Sequence, residues 1–151
     1  MDAYSTHLEP LIKTAVETKG DILELGCGDY STLPLAAIAK AQNRKYRAQS
    51  SNREWAKHYG DLVEIVDWDN WMPPKNENSP DGKWGMVFMD SDEKVKERIK
   101  RLPAIADVTD TVVMHDANIA MNCADWKQCS ERYSKITVFN RYIPWTVVMQ
   151  C

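Results

Sequence analysis

The sequence contains no apolar run long enough to span a bilayer, and its first residues, Met1 to Ser5, do not have the character of a signal peptide. We therefore expect a cytoplasmic protein without a membrane partner. The net charge of −3 lacks the basic excess that is typical of proteins binding nucleic acid through its phosphates. This balance argues against a nucleic-acid partner.

No Cys-X-X-Cys pair occurs among the four cysteines, which are Cys27, Cys123, Cys129 and Cys151. In a cytoplasmic chain we expect them to be free thiols and not ligands of a structural zinc ion. Internal repeats and low-complexity tracts are also lacking. The 151 residues are 44% hydrophobic and 27% charged, which is ordinary for a globular protein, so we expect a single domain over residues 1–151.

The most informative segment is Asp21 to Thr32, with the sequence DILELGCGDYST. An apolar strand leads into a Gly-X-Gly turn, and a helix begins directly behind it. Glycines allow a tight turn and let a ligand approach the backbone, and the free N–H groups at a helix start can bind an anionic group. This pattern predicts a nucleotide-type pocket. Ser31 occupies the position of the third glycine in the dinucleotide pattern, which disfavours a dinucleotide.

Hydrophobic spacing predicts alternating helices and strands along the rest of the chain. Helices are predicted over residues 7–18, 32–40, 52–59, 91–102 and about 124–133. Strands are predicted over residues 22–25, 45–49, 62–66, 84–89 and 112–114, and a loop over 69–83. The closing strands, 136–139 and 145–149, are joined by a short connection and predict an antiparallel hairpin. The fold class is thus α/β, with a doubly wound, mostly parallel seven-stranded sheet and a C-terminal antiparallel hairpin.

The run from Ile22 to Gly28 resembles the first motif of class I S-adenosylmethionine (SAM)-dependent methyltransferases, which is hydrophobic-hydrophobic-Glu-hydrophobic-Gly-X-Gly. The predicted element order adds to this resemblance, because that family has a Rossmann-like sheet of seven strands with the last one antiparallel. The similarity extends to Met149 without a sizeable insertion or cap. It implies a Rossmann-like methyltransferase fold and SAM as the cofactor.

The resemblance also implies cofactor contacts at the strand ends. Around the turn, where the family holds the amino-acid end of SAM, the candidates are Glu24, Gly26, Cys27, Gly28, Tyr30, Ser31 and Thr32. For Ser31 and Thr32, plain capping of the helix is the alternative. Asp67 and Trp68 follow the third strand, where the family contacts adenine, and the alternative there is an ordinary turn with a packed tryptophan.

The acidic residue that the family usually carries near the end of the second strand is missing. The sequence there is Gln49-Ser50-Ser51-Asn52. Ser50 and Asn52 are the candidates for binding the ribose, but a hydroxyl or an amide lacks the strength of a charge-assisted hydrogen bond. Weaker SAM affinity, or a different nucleoside ligand, therefore stays open.

Acidic and imidazole side chains follow the fourth and fifth predicted strands. Because the carboxyl ends of parallel strands meet at one edge of a sheet, Asp90, His115 and Asp116 are predicted to converge over the site. Asp90 would orient the SAM amino group or the substrate. His115 or Asp116 would act as general base on a substrate hydroxyl or amine. His7 and His58 lie on predicted helices and are expected at the surface.

A Mg²⁺ site is the second interpretation of these strand ends. Asp90, Asp116 and Asn118 offer oxygen ligands, which Mg²⁺ prefers. This set resembles the metal-dependent O-methyltransferases of the catechol type. In that group the Asn directly follows the second Asp, whereas Ala117 intervenes here. Capping of the strand-to-helix turns is the third interpretation.

These patterns predict SAM-dependent methyl transfer to an O or N atom of a small-molecule acceptor. The chain lacks the Asn-Pro-Pro-Tyr-like signature of amino-methylating DNA enzymes. Two alternatives remain: a catalytically silent SAM- or nucleoside-binding module that acts through a partner, and a SAM-using enzyme without methyl transfer. Because no cap is present, a homodimer that completes the pocket is also open.

Overall fold

A sheet of seven strands organises the fold, for which the computed structural model describes residues 5–151. The strands are β1 (Ile22–Leu25), β2 (Tyr46–Ser50), β3 (Val63–Ile65), β4 (Met86–Met89), β5 (Thr111–Met114), β6 (Lys135–Phe139) and β7 (Thr146–Gln150). They lie in the order β3-β2-β1-β4-β5-β7-β6. The first five run parallel, and β7 is antiparallel to β5 and β6. The predicted sheet with its C-terminal hairpin is confirmed.

Short helices connect the strands on both sides of the sheet. They are α1 (Leu8–Glu17), α2 (Thr32–Ala41), α3 (Arg53–Ala56), α4 (Val95–Lys100), α5 (Leu102–Ile105), α6 (Ala117–Ala120) and α7 (Trp126–Cys129). Two 3₁₀ segments, Lys57–Leu62 and Trp68–Asn70, follow α3 and β3. Within residues 5–151, no helix is both long enough and apolar enough to cross a membrane.

The central strand β1 is buried along its whole length, because helices cover both faces of the sheet. Its side chains alternate between two cores. Leu23 and Leu25 belong to the core on the side of α4 to α7, whereas Ile22 belongs to the core with α1 and α2. Glu24 shares the parity of Ile22, so a carboxyl group is carried into the interior on the side of α2.

The strand registers bring the carboxyl ends of the central strands to one level. Leu25 is paired with Gln49 of β2 on one side and with Met89 of β4 on the other. Met89 is paired in turn with Met114 of β5. The residues that follow each strand therefore start from one edge of the sheet, where the sequence predicts the site.

The predicted helix over residues 91–102 is interrupted. The structure begins α4 at Val95, ends it at Lys100 and starts α5 at Leu102. Pro103 lies in the first turn of α5, where its missing N–H is tolerated, but a continuous helix through it would lose a hydrogen bond. Pro103 therefore accounts for the break, which the spacing of apolar residues alone does not indicate.

Other boundaries also differ from the predictions. Of the helix predicted over 124–133, only Trp126–Cys129 is α-helical, and the hydroxyl of Ser130 donates to the carbonyl of Trp126 where the helix ends. The additional helix α6, directly after β5, was not predicted. Strand β4 begins at Met86, while Trp84 makes only an isolated bridge with Thr109.

The turn after β1 should tolerate no side chain at Gly26. This residue has φ +107°, and an added Cβ would lie 2.2 Å from the carbonyl oxygen of Asp90. We expect Gly26→Ala to lower the free energy of unfolding by roughly 3 kcal/mol or more, measured by urea denaturation. Gly82 also has a positive φ, of +72°, but only the Lys75 side chain lies near its Cβ position, at 3.6 Å. Gly82→Ala should lower the free energy of unfolding by about 1 kcal/mol. Equal losses of stability in the two variants would contradict the role of the contact between Gly26 and the Asp90 carbonyl.

Candidate functional site

The glycine turn is fixed by backbone contacts to both neighbouring strands. The Gly26 N–H donates to the carbonyl of Gln49 over 2.7 Å, and the Gly26 Cα faces the backbone of Asp90. The Gly28 N–H donates to the Thr32 hydroxyl over 2.9 Å. The turn thus joins the ends of β2 and β4 at the start of α2.

Glu24 lies beneath this turn as a fully buried carboxyl group. Its oxygens accept hydrogen bonds from Ser31 Oγ at 2.5 Å, from Thr32 Oγ1 at 3.2 Å and from the Tyr46 hydroxyl. Desolvation by burial raises the pKa of Glu24 to about 7, although these hydrogen bonds oppose the shift. Burial and the neighbouring Glu24 raise the pKa of Tyr46, so that hydroxyl stays protonated.

The hydroxyls of Ser31 and Thr32 therefore donate hydrogen bonds to Glu24. The sequence analysis had considered cofactor contact and helix capping for them, but not this role. Ser31 precedes α2 but makes no capping hydrogen bond with its side chain. The remaining turn residues, Cys27 and Tyr30, are half-buried beside it. Burial raises the pKa of the Cys27 thiol, although a hydrogen bond with Ser50 opposes the shift, and this favours an unreactive thiol.

At the end of β2, the neutral side chains are largely engaged in local structure. Gln49 accepts from Trp71 Nε1 at 2.8 Å and donates to Glu64 at 2.9 Å. Ser50 is buried, and its hydroxyl accepts from the N–H of Asn52 at 3.2 Å. The side-chain oxygen of Asn52 accepts from the N–H of Trp55 at 3.0 Å and so caps α3. The roles of Ser50 and Asn52 in cofactor binding remain predictions.

A carboxylate to which the sequence analysis assigned no role lies beside this strand end. Asp92, in the loop after β4, accepts from Ser51 Oγ over 2.9 and 2.8 Å with its two oxygens. It also accepts from Trp68 Nε1 at 2.9 Å. An acidic group from the β4 loop thus lies next to the end of β2, whose own side chains are neutral.

Asp67 and Trp68 occupy the turn after β3. The exposed Asp67 accepts from the N–H of Asp69 at 3.1 Å and so stabilises the 3₁₀ segment. Trp68 is 6% exposed, meets Trp71 edge to face at 5.3 Å between ring centroids, and has the Arg101 guanidinium over its ring at 5.8 Å. The packed-tryptophan alternative describes this turn well, and contact with adenine remains a prediction.

The ends of β4 and β5 bring together the three residues predicted to act in catalysis. His115 is buried, with Nδ1 3.2 Å from an Asp90 carboxylate oxygen and Nε2 3.0 Å from the Thr6 hydroxyl. The buried Arg98 lies 3.4 Å from Asp90 and 3.4 Å from Asp116. Desolvation acts to raise the pKa of Asp90, but His115 and then Arg98 outweigh it and lower that pKa below its ordinary value.

The arrangement of Asp90, Asp116 and Asn118 does not match the Mg²⁺ site considered from the sequence. The cation between the two carboxylates is the Arg98 guanidinium, which also donates to the carbonyl oxygens of Ser91 and His115. The Asn118 side-chain oxygen accepts instead from the N–H of Trp145 at 3.1 Å. This bond runs to the backbone before β7 and not to the turn between β5 and α6, so the capping interpretation is not confirmed for Asn118.

The expectation that His7 lies at the surface is wrong. His7 immediately precedes α1, is 3% exposed, and packs against Phe88 and His115 with ring centroids 5.0 and 4.6 Å away. Burial, with a contribution from His115, lowers the pKa of His7 to about 4. Helical spacing alone did not reveal that α1 begins directly over the strand ends. His58 is exposed, as expected.

A cavity of about 240 Å³ adjoins this cluster, between the start of α1 and the connection from β6 to β7. Thr6, whose hydroxyl contacts His115, lies in its wall. Glu9, Arg141 and Tyr142 also line it, with the Arg141 guanidinium over the Tyr142 ring at 5.3 Å. The lining therefore offers both signs of charge and an aromatic surface.

Comparison with known proteins supports the fold. The sequence matches no protein-family model and no curated protein. A solved 16S rRNA methyltransferase from T. thermophilus, in complex with AdoMet and guanosine, matches with a TM-score of 0.59 at 13% identity; the alignment covers 98% of this chain but 39% of that protein.

Two other similar structures are closer in length. A ribosomal protein L11 methylase from Lactobacillus delbrueckii subsp. bulgaricus has a TM-score of 0.53 at 12% identity, covering 95% of this chain and 75% of that one. A precorrin-6y C5,15-methyltransferase from Geobacter metallireducens has a TM-score of 0.51 at 12% identity, covering 95% and 86%. The chain therefore has the Rossmann-like fold of class I methyltransferases.

Glu24→Gln should remove a pH dependence of stability. An unfolded Glu ionises near pH 4.5, but folded Glu24 ionises near 7. Between these values the folded state keeps a proton that the unfolded state has lost, so the contribution of Glu24 to stability falls as pH rises. Gln does not titrate. Urea denaturation from pH 4.5 to 8 should show the wild type losing up to about 3 kcal/mol relative to the variant. The exposed Glu17→Gln is the control, and a Glu24→Gln profile parallel to that of the wild type would contradict the buried-carboxyl assignment.

Proposed function

We propose that this protein is a SAM-dependent methyltransferase that acts on an O or N atom of a small-molecule acceptor. The observation that carries the proposal is the alignment of two features at one edge of the sheet. The Gly26 turn with buried Glu24 follows β1, and the Asp90–His115 pair follows β4 and β5. A cofactor turn and a candidate base thereby adjoin each other on a methyltransferase fold.

The residues around the turn fit the cofactor in part. The glycine backbone leaves room for a ligand at Gly28, where the nearest atom to an added Cβ is Ser31 Oγ at 3.5 Å. We assign the ribose hydroxyls to Asp92, because its carboxylate stands beside Ser51 and supplies the charge that β2 lacks. Trp68, bonded to the same carboxylate, would lie at the adenine end. SAM, when bound, would supply an electrophilic methyl group.

His115 is the better candidate for the general base than Asp116. Its Nδ1 is oriented by Asp90, and its Nε2 is directed at a hydroxyl group, that of Thr6. An acceptor hydroxyl or amine in the place of Thr6 would be within reach of Nε2, which would accept its proton. Asp116 is instead paired with the buried Arg98, which lowers its availability for proton transfer.

The cavity between α1 and the β6–β7 connection is the proposed acceptor site. Its volume of about 240 Å³ suits a small molecule, and Thr6 separates it from His115. Glu9 and Arg141 would bind polar groups of the acceptor, with the Tyr142 ring beside them. The net charge of −3 also favours a small acceptor over a nucleic acid.

A catalytically silent module remains the second candidate, and one observation favours it. The three hydroxyl donors already satisfy Glu24, and the end of β2 is neutral, so both usual acidic contacts to SAM differ from the family pattern. Such a module would bind SAM or S-adenosylhomocysteine without transferring a methyl group.

Calorimetric titration with SAM and S-adenosylhomocysteine tests the cofactor. We expect the wild type to bind both, and Asp92→Asn to weaken binding tenfold or more, since roughly 1.5–3 kcal/mol is lost with a charged hydrogen-bond acceptor. Asp61→Asn, an exposed carboxylate in the 3₁₀ segment after α3, is the matched control and should bind like the wild type. Absence of binding by the wild type would overturn the proposed function; unchanged binding by Asp92→Asn would overturn only the ribose assignment.

Transfer of labelled methyl from SAM into fractions of a cell extract tests the reaction. We expect label in the low-molecular-mass fraction, and a loss on the order of 10²-fold in His115→Ala, because the proton acceptor is gone. S-adenosylhomocysteine binding should persist in that variant, and the exposed His58→Ala should behave like the wild type. Label in RNA or protein would overturn the acceptor class, and full activity of His115→Ala would overturn the base. Binding without any transfer by the wild type would favour the silent module.

A further inference from the structure

We propose that His7, Asp90 and His115 form a binding site for a divalent transition-metal ion of the zinc or cobalt type. One ligand atom of each residue lies within 4.8 Å of the others. This set differs from the Asp90, Asp116 and Asn118 set considered from the sequence. The inference does not depend on methyl transfer and would hold for a silent module as well.

The first argument is the state of His7. The residue is 3% exposed, and within residues 5–151 neither ring nitrogen has a hydrogen bond of acceptable geometry, although the Tyr30 backbone interacts weakly with the ring. Buried imidazole nitrogens are normally satisfied, so an unsatisfied pair calls for an explanation. A nitrogen lone pair next to a second imidazole and a carboxylate has an evident use as a metal ligand.

The second argument is the spacing. Ligands at about 2.1 Å from a common ion in tetrahedral geometry are about 3.4 Å apart. Asp90 Oδ2 and His115 Nδ1 are already 3.2 Å apart. The His7 ring lies edge to face with His115, 4.6 Å between centroids, so a modest rotation of one imidazole completes the set.

The third argument is charge. Asp90 and Asp116 face a single guanidinium, that of Arg98, so these three groups carry one net negative charge that favours a cation. Arg98 contacts Asp90 through Oδ1, which leaves Oδ2 on the side of His115. The metal and the guanidinium would therefore use different oxygens of one carboxylate.

The ligand types select the metal. Two imidazole nitrogens and one carboxylate suit Zn²⁺, Co²⁺, Ni²⁺ or Fe²⁺ better than Mg²⁺ or Ca²⁺, which prefer oxygen alone. Three protein ligands also leave at least one position for water or for a donor atom of another molecule. Thr6 and the adjoining cavity lie next to His115, so the open position would be close to the proposed acceptor site. A metal bound at His115 Nδ1 would leave the ring proton on Nε2, which then donates and no longer accepts, so metal binding and proton transfer would compete for the same ring.

Titration of tag-free, chelator-treated protein with Co²⁺ tests the site through the visible ligand-field bands of the bound ion. We expect one ion per chain in the wild type and affinity lowered at least tenfold in His7→Phe, which keeps a ring against Phe88 but removes the nitrogens. His58→Ala should bind like the wild type. Zn²⁺ should raise the melting temperature of the wild type and of His58→Ala but not of His7→Phe, which separates lost binding from lost folding.

Three results would overturn the proposal. The first is that the wild type binds neither Co²⁺ nor Zn²⁺ at millimolar concentration. The second is that folded His7→Phe binds the metal as tightly as the wild type. The third is that His58→Ala loses binding. The last result would identify an adventitious surface histidine. Because these measurements need neither SAM nor an acceptor, their failure is distinguishable from failure of the proposed function.

Discussion

The close contact between the Gly26 turn and the Asp90 backbone is the constraint on which the rest of the site depends. Without a side chain at Gly26, the ends of β1 and β4 approach until an added Cβ would overlap the Asp90 carbonyl. This approach sets Asp90 beside the turn, and the β4–β5 register then brings His115 to Asp90. A single steric requirement thereby links the cofactor half of the site to the half that carries the candidate base.

Buried polar groups on the two sides of the sheet edge have different kinds of partners. Glu24 is surrounded by hydroxyl groups, which can each donate or accept, so its protonation state can change without movement of heavy atoms. Arg98 is surrounded by carboxylates and carbonyls, which hold its guanidinium between the ends of β4 and β5. One side of the site is therefore adaptable to a change in pH, whereas the other is electrostatically fixed.

The sequence predicted the sheet and its hairpin well, because helical and strand periodicities and the glycine turn are local signals. It predicted the convergence of Asp90 and His115 for the same reason, since both directly follow strands. It assigned no role to Asp92 and did not predict the burial of His7, because each depends on how a loop or a helix end lies over the sheet. Arg98 lies in the predicted helix over residues 91–102, and the mixed charges of that segment give no sign that one of its members is buried.

The cluster of His7, Asp90 and His115 has a topological consequence. Its members come from the segment before α1, the end of β4 and the end of β5, so they meet only when the first helix has docked on a sheet that already contains both strands. Anything bound to all three would join the two ends of a long stretch of chain. Such a ligand would act as a cross-link on the folded domain, and its binding free energy would also stabilise elements that do not contact it.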